Sequence, residues 1–216
     1  LQKAWNGIAL IGGLHPHQAD QADDAFFALV RKHADRLCAV GEIGLDFHYN
    51  FSAPDQQQTV FEQQLALAEA LEKPVVLHIR EAHTEALATL RRFSRPHGTV
   101  VHCYTGTWDE ARQYLDLGCV ISLSGIVTFP KAADLHETAR KLPADRLLVE
   151  TDAPYLAPVP FRGRRCEPGM VMHTLEAVAR LRGDDPMALG LQVWDNAAAV
   201  FHFEETLGPL APRETA

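Results

Sequence analysis

Polar residues stand where a series of short apolar runs end. Glu42 follows Ala39-Val40-Gly41, His78 follows Val75-Val76-Leu77, His102 follows Val100-Val101, and Glu150 with Asp152 follows Leu147-Leu148-Val149. Imidazoles and carboxylates without a thiolate pair form a ligand set suited to a divalent ion: Zn²⁺, Mn²⁺ or Mg²⁺. Such a site can bring the pKa of a bound water down to about 7 and so supply the nucleophile of a hydrolysis. Any one of these residues taken alone is better read as a solvated strand-end group. Four strand ends carrying them favour metal, because buried imidazoles and carboxylates need partners.

The elements that must position them can be read from the same spacing. His78 lies 36 residues after Glu42, His102 a further 24, and Asp152 a further 50. Those intervals fit one, one and two βα units. Candidate strands are Ile8–Leu14, Leu37–Ile43, Pro74–Ile79, Thr99–Cys103, Cys119–Ser124 and Arg146–Glu150. They are near-continuous apolar runs, as expected of strands buried on both faces of a parallel sheet. Helical patterns lie between them. One opens at Ser52-Ala53-Pro54-Asp55, one at the capping box Thr107-Trp108-Asp109-Glu110 before Gly118, and others cover Lys131–Leu142, Met170–Leu181 and Pro186–Phe201. The alternation predicts an α/β fold of TIM (β/α)₈ type, with all strand C-termini on one face. Six strands are two short of eight, and the first residue is Leu1 rather than Met. The expectation is therefore a single partial barrel over residues 1–216, lacking the first one or two βα units, with a frayed tail from Gly208 to Ala216.

Other residues have more than one reading. His15-Pro16-His17 has the form of a paired ligand. Pro16 turns the chain, however, and His17-Gln18-Ala19-Asp20 reads as a helix start, so substrate-loop histidines or a polar turn fit as well. Asp46 could orient a ligand or cap the next turn. Tyr104 could stack on a base or cover the barrel end. Arg80, two residues past His78, is grouped with the substrate-binding candidates. Phe161-Arg162-Gly163-Arg164-Arg165 is the dense basic cluster of an acidic chain, suited to phosphate or simply solvated. Trp108, Trp194, Phe26, Phe27 and Phe201 read as core. His33, His83, His97, His136, His173 and His202 read as surface.

Composition narrows the classes. The chain has 216 residues, 47% hydrophobic and 22% charged, which excludes a mainly disordered polymer. A net charge of −8 makes it a poor non-specific nucleic-acid binder, so such contact must come from a local patch. No apolar run approaches the roughly 18 residues of a membrane helix. Cys38, Cys103, Cys119 and Cys166 include no C-x-x-C and read as reduced thiols, which points to the cytoplasm.

Six segments together resemble the TatD-type metal-dependent DNases of the amidohydrolase superfamily. They are Gly13-Leu14-His15-Pro16-His17, Gly41-Glu42-Ile43-Gly44-Leu45-Asp46, Pro74-Val75-Val76-Leu77-His78, Val101-His102-Cys103-Tyr104-Thr105-Gly106, Ser122-Leu123-Ser124-Gly125-Ile126 and Glu150-Thr151-Asp152-Ala153-Pro154-Tyr155-Leu156-Ala157-Pro158. The resemblance implies a (β/α)₈ barrel holding two divalent ions. It implies that Glu42 bridges them, that His78 and His102 are ligands of the second, and that Asp152 is a ligand of the first and orients or deprotonates the attacking water. His15 and His17 match the family's third-strand turn rather than its imidazole pair. That pair lies on a strand preceding the segments seen here, which implies one ion rather than two for this chain. The family's Arg-Asn-Glu-Pro loop reads Arg165-Cys166-Glu167-Pro168 here, which changes one loop hydrogen bond.

The expected function is divalent-metal-dependent hydrolysis of phosphodiester bonds in DNA, as an exonuclease acting on single strands or chain ends, with Glu42 and Asp152 catalytic and Arg162 or Arg165 assisting. DNA is then the partner, and neither a membrane nor an obligatory protein is called for. Two rivals stand beside it. One is a hydrolase of the same superfamily acting on a small ester, amide or phosphate ester. The other is an inactive barrel fragment acting as a binding module.

Overall fold

The computed structural model describes residues 8–94 and 97–202, so the tail read as frayed lies outside the described residues. Six parallel strands pair in chain order, β1 (Leu10–Ile11), β2 (Leu37–Asp46), β3 (Val75–Arg80), β4 (Thr99–Val101), β5 (Val120–Leu123) and β6 (Leu147–Val149). Seven α-helices accompany them among the described residues: α1 (Asp24–Lys32), α2 (Pro54–Ala70), α3 (His83–Leu90), α4 (Trp108–Asp116), α5 (Ala133–Lys141), α6 (Val171–Arg182) and α7 (Pro186–Phe201). All five strand pairings are parallel, so every strand delivers its C-terminal residue to the same edge. This is the wall of a βα barrel, six strands long among the described residues.

Burial explains the strands. β2 is buried along its whole length except at Glu42, and β4 and β5 are buried throughout. One core cluster runs from Cys38 through Leu77, Val101, Ile121 and Leu147 to Val178 and Val200, joining the sheet to α2, α3, α5, α6 and α7. β1 keeps only two of the seven residues expected, although past its register shift Gly12 still donates to the Ala39 carbonyl and accepts from the Gly41 amide, each at 3.2 Å, and Gly13 presses on β2. A Cβ on Gly13 would lie 2.8 Å from the Gly41 carbonyl carbon. β2 instead runs on to Asp46, three residues beyond its expected end.

Two helices, α1 and α3, were given no bounds from the sequence. Asp23 does cap α1, accepting from the Phe26 amide at 2.7 Å, whereas α3 has no side-chain cap. Two surface or core expectations are also corrected. His83 is mostly buried, with Nδ1 3.0 Å from the Tyr114 hydroxyl, because α3 packs its first turn onto α4. Trp194 is 41% exposed, on the outer side of α7.

Two buried amides of α2 hold the ends of strands. Gln64 accepts from the Leu14 amide at 2.7 Å and donates to the Leu14 carbonyl at 3.0 Å. Gln57 accepts from the Asp46 amide at 2.8 Å and donates to the Asp46 carbonyl at 3.0 Å and the Ser52 carbonyl at 2.9 Å. Both glutamines are about 1% exposed, and each satisfies backbone groups that no ladder reaches.

Gly44 faces His78 across the β2–β3 ladder at φ +141°, and a Cβ there would sit 2.1 Å from the His78 carbonyl oxygen. Gly44→Ala is expected to destabilise the chain by roughly 2–4 kcal/mol, since it combines backbone strain with a clash against main chain. Urea unfolding monitored by circular dichroism checks this, and an unchanged midpoint would contradict the packing described.

Candidate active site

Asp46, at the end of β2, is fully buried, and its two oxygens are divided between backbone and imidazoles. Oδ1 accepts from the His48 and Tyr49 amides, each at 3.0 Å. Oδ2 lies 2.8 Å from His17 Nε2 and 3.1 Å from His78 Nε2. Burial alone would raise this carboxyl, but the Tyr49 amide, His17 and His78 prevail and hold it at about 2. Asp46 therefore orients imidazoles and also caps the turn that follows it, the two roles its position allows.

With Nε2 engaged by Asp46, His78 presents Nδ1, which lies 3.3 Å from His102 Nε2. His102 is fixed in the same way from the other side. Its Nδ1 is 3.2 Å from Glu150 Oε1, and its Nε2 is 3.3 Å from Glu42 Oε2. Glu150 is itself anchored, accepting from the Cys103 amide at 2.8 Å and from the Ser122 hydroxyl at 2.5 Å. Three atoms, His78 Nδ1, His102 Nε2 and a Glu42 carboxylate oxygen, thus converge within 4.8 Å of one another. A carboxylate behind each ring, leaving the other nitrogen free, is how imidazoles are held for a divalent cation. The residues present fit such an ion.

The electrostatics agree. Burial disfavours charge on His102, yet Glu150 and Glu42 on its two sides outweigh that and raise it to about 10. Glu42 is opposed by burial but lies below the usual carboxylate range because of its hydrogen bond to His102 and that ring's charge. His78 is lowered by burial and by the charge of His102, against the pull of Asp46. Asp152 is raised by burial, with Glu42 and Glu150 adding to the effect and His102 opposing it.

His15 and His17 belong to this site spatially. The ring of His15 sits 4.3 Å from those of both His17 and His78, and its Nδ1 accepts from the His17 amide at 3.2 Å. His15, His17 and His78 form a second group whose nitrogens lie within 4.8 Å of one another, sharing His78 with the first. Burial, then the charges of His78 and His17, lower His15 to about 4, so it is neutral and able to donate a lone pair at neutral pH.

All of these groups except the fully buried Asp46 and the anchored Glu150 line a cavity of about 790 Å³, together with Arg80, Tyr49, Cys103, Thr105, Asp152 and Tyr155. Arg80 is the cation in that wall. Arg162 and Arg165 are exposed on the loop after Asp152 and do not line it; Arg162 instead lies 4.4 Å over the ring of Phe129, which draws it away. Tyr104 is also outside the cavity. It is 1% exposed, and its hydroxyl donates to the Thr107 carbonyl at 2.5 Å. Reasoning from sequence missed Glu150 as the support of His102, although its strand-end position marked it, and missed Tyr49, Phe51 and Tyr155 at the mouth.

The sequence profile described as TatD related DNase matches residues 1–202. The chain belongs to this TatD-related family. A 3'-5' ssDNA/RNA exonuclease TatD from Erwinia billingiae is 43% identical over 198 residues, covering 88% of this chain and 76% of that protein. The uncharacterized metal-dependent hydrolase YcfH of Escherichia coli K12 is 40% identical over 193 residues, covering 89% of this chain and 73% of its own length. In three dimensions the TatD homolog YJJV of Escherichia coli K12 superposes with a TM-score of 0.88 at 28% identity, covering 94% of this chain and 80% of that one. The TatD-related barrel seen there accounts for the curled parallel wall seen here, and bears out the resemblance read from the six segments.

In this TatD-related site the proton that His102 carries must leave when a cation takes Nε2. Binding of Zn²⁺ near pH 7 is expected to release about one proton per ion, with affinity rising up to tenfold per pH unit below the His102 value. Because the two candidate groups share His78, one ion per chain is expected. Calorimetry in buffers of differing ionisation enthalpy measures both quantities, and Glu150→Gln should weaken binding about 10–100-fold. Two ions bound with no proton release would contradict this reading.

Proposed function

We propose that this chain hydrolyses phosphodiester bonds at the ends of single-stranded DNA in a divalent-metal-dependent reaction. The observation that carries the reading is the convergence of Glu42, His78 and His102 on one point of a cavity that also holds Arg80 and the raised carboxyl of Asp152. The family and the names of its exonuclease relatives support the substrate class. The four cysteines are free thiols, which suits a cytoplasmic setting, and no described helix is long and apolar enough to cross a membrane.

His78, His102 and Glu42 hold the ion, whose identity among Zn²⁺, Mn²⁺ and Mg²⁺ is open to assay. When bound, it supplies Lewis-acid charge for the phosphoryl oxygens and acidifies water at the site. Asp152 takes the proton of the attacking water. Its carboxyl is raised by burial, which makes it a better base than an ordinary aspartate. Arg80 faces the phosphate, with a guanidinium geometry that suits two phosphoryl oxygens at once. Glu150 and Asp46 keep the two imidazoles turned toward the ion. His15 and His17 form the wall on the β1 side and contact the substrate.

Asp152→Asn and Glu42→Gln are each expected to lower kcat on a single-stranded oligonucleotide by at least about 10²-fold. The unfolding midpoint should stay within a few degrees, since neither side chain supports the core. The assay compares single-stranded DNA, RNA and a simple carboxylic ester after chelation and metal add-back. Full activity in either variant sinks the assignment of roles, and turnover of the ester alone sinks the substrate class.

A further inference from the structure

Three aromatic side chains stand exposed beside the candidate metal ligands. Tyr49 is 50% exposed, Phe51 68% and Tyr155 69%, among the most open large apolar residues of the described chain. Tyr49 and Phe51 are stacked, with ring planes 2° apart and centroids 5.3 Å apart. Nothing in the core requires that arrangement, because neither ring is buried. Leaving so much apolar ring in water has a cost that a ligand would relieve.

The pair is tied to the site by direct contact. The His17 ring meets the Phe51 ring edge-on at 4.8 Å and the Tyr49 ring at 5.6 Å, and His17 in turn holds Asp46 Oδ2. The Arg80 guanidinium lies 4.7 Å over the Tyr49 ring and makes no ion pair among the described residues. A parallel aromatic pair, an adjacent cation without a carboxylate partner, and a hydrolytic centre one imidazole away have the chemistry of a nucleotide: a base to stack, a phosphate to pair and an ester to cut. Stacking tolerates any base, because every base has a π-face, whereas a small phosphate ester offers these rings nothing.

We propose that Tyr49 and Phe51 form a stacking platform for the terminal nucleobase, with Arg80 gripping its phosphate, so that the platform selects strand ends whose base is free. The proposal rests on the nuclease reading above and deepens it. A base paired in a duplex keeps its faces against its neighbours and cannot lie on the platform. Single-strand preference then arises at these two rings rather than at the metal ligands.

The test compares an oligothymidylate with the same strand carrying abasic residues at both ends, using the full chain and Mn²⁺. The parent chain should show a KM for the abasic-ended strand roughly 5–100-fold higher than for the intact one. In Tyr49→Ala/Phe51→Ala that ratio should fall to about 1, through a rise in KM on the intact strand. Phe51→Trp should preserve or enlarge it. Phe51→Ala alone, at a position 68% exposed, serves if the double variant folds poorly. A purely structural role for the pair would raise both KM values together and leave the ratio intact, which would overturn the platform. So would a ratio near 1 in the parent chain while it still cleaves strands. A parent chain that cleaves no strand would overturn the nuclease reading and the platform with it.

Discussion

The close approach of β2 and β3 at Gly44 is the constraint on which the site depends. The ladder sets Gly44 against His78 and Asp46 against Arg80, with main chain so near that any Cβ at Gly44 would strike the His78 carbonyl. Only glycine adopts φ +141° there without strain. Because the strands can close up, Asp46, two residues on, reaches the ring of His78 and the ring of His17 with a single oxygen. The register shift between Val40 and Ile43 falls at Glu42, the one residue of β2 that is not buried. The strand therefore delivers a half-open carboxylate for a cation and, four residues later, a buried carboxylate for orientation.

Charge at the edge of the sheet explains why a cation belongs there. Glu42, Asp46, Glu150 and Asp152 gather around His78 and His102, and the raised value of His102 records how strongly that negative charge is felt. Without an ion, the proton on His102 serves as the compensating charge between Glu150 and Glu42. A divalent cation held there would replace that proton with twice the charge and would lessen the repulsion an incoming phosphate meets from the four carboxylates. The acidic composition of the chain and an anionic substrate are therefore compatible, because the neutralisation is local.

Much of this was legible in the sequence, for identifiable reasons. Strands buried on both faces leave continuous apolar runs, so a polar residue ending one stands out; of those singled out that way Glu42, His78 and His102 converge, while Asp152, expected as a ligand, lines the same cavity outside that group. Glu150 was passed over because its function lies in what it holds, the Nδ1 of His102, and spacing carries no sign of that. Of the two readings of Tyr104, its burial fits the cover of the barrel end and not the stacking on a base. Cys103 adopts φ +42°, which breaks the alternation, aims its amide at Glu150 and turns Tyr104 into the core. The arginine cluster looked placed for phosphate from its distance to Asp152. The loop instead seats Arg162 on Phe129, and the arginine that lines the cavity is Arg80, the last residue of β3. Tyr49 and Phe51 follow β2 in a segment with no periodicity to mark them.

Asp46 gives these parts a common mechanical centre. One oxygen holds His17, whose ring abuts the aromatic pair, and holds His78, whose other nitrogen faces the candidate ion. Its other oxygen accepts the backbone amides that start the turn carrying Tyr49 and Phe51. Gln57 fixes the main chain of Asp46 from below through two hydrogen bonds. Where the base is held and where the ester is cut are thus set by the same buried carboxylate. A shift of either would require breaking charge-assisted hydrogen bonds in a buried environment, where they are strongest. The distance from platform to ion is accordingly a fixed length of the fold. That rigidity suits removal of one nucleotide after another, since each new strand end must present its ester at the same place.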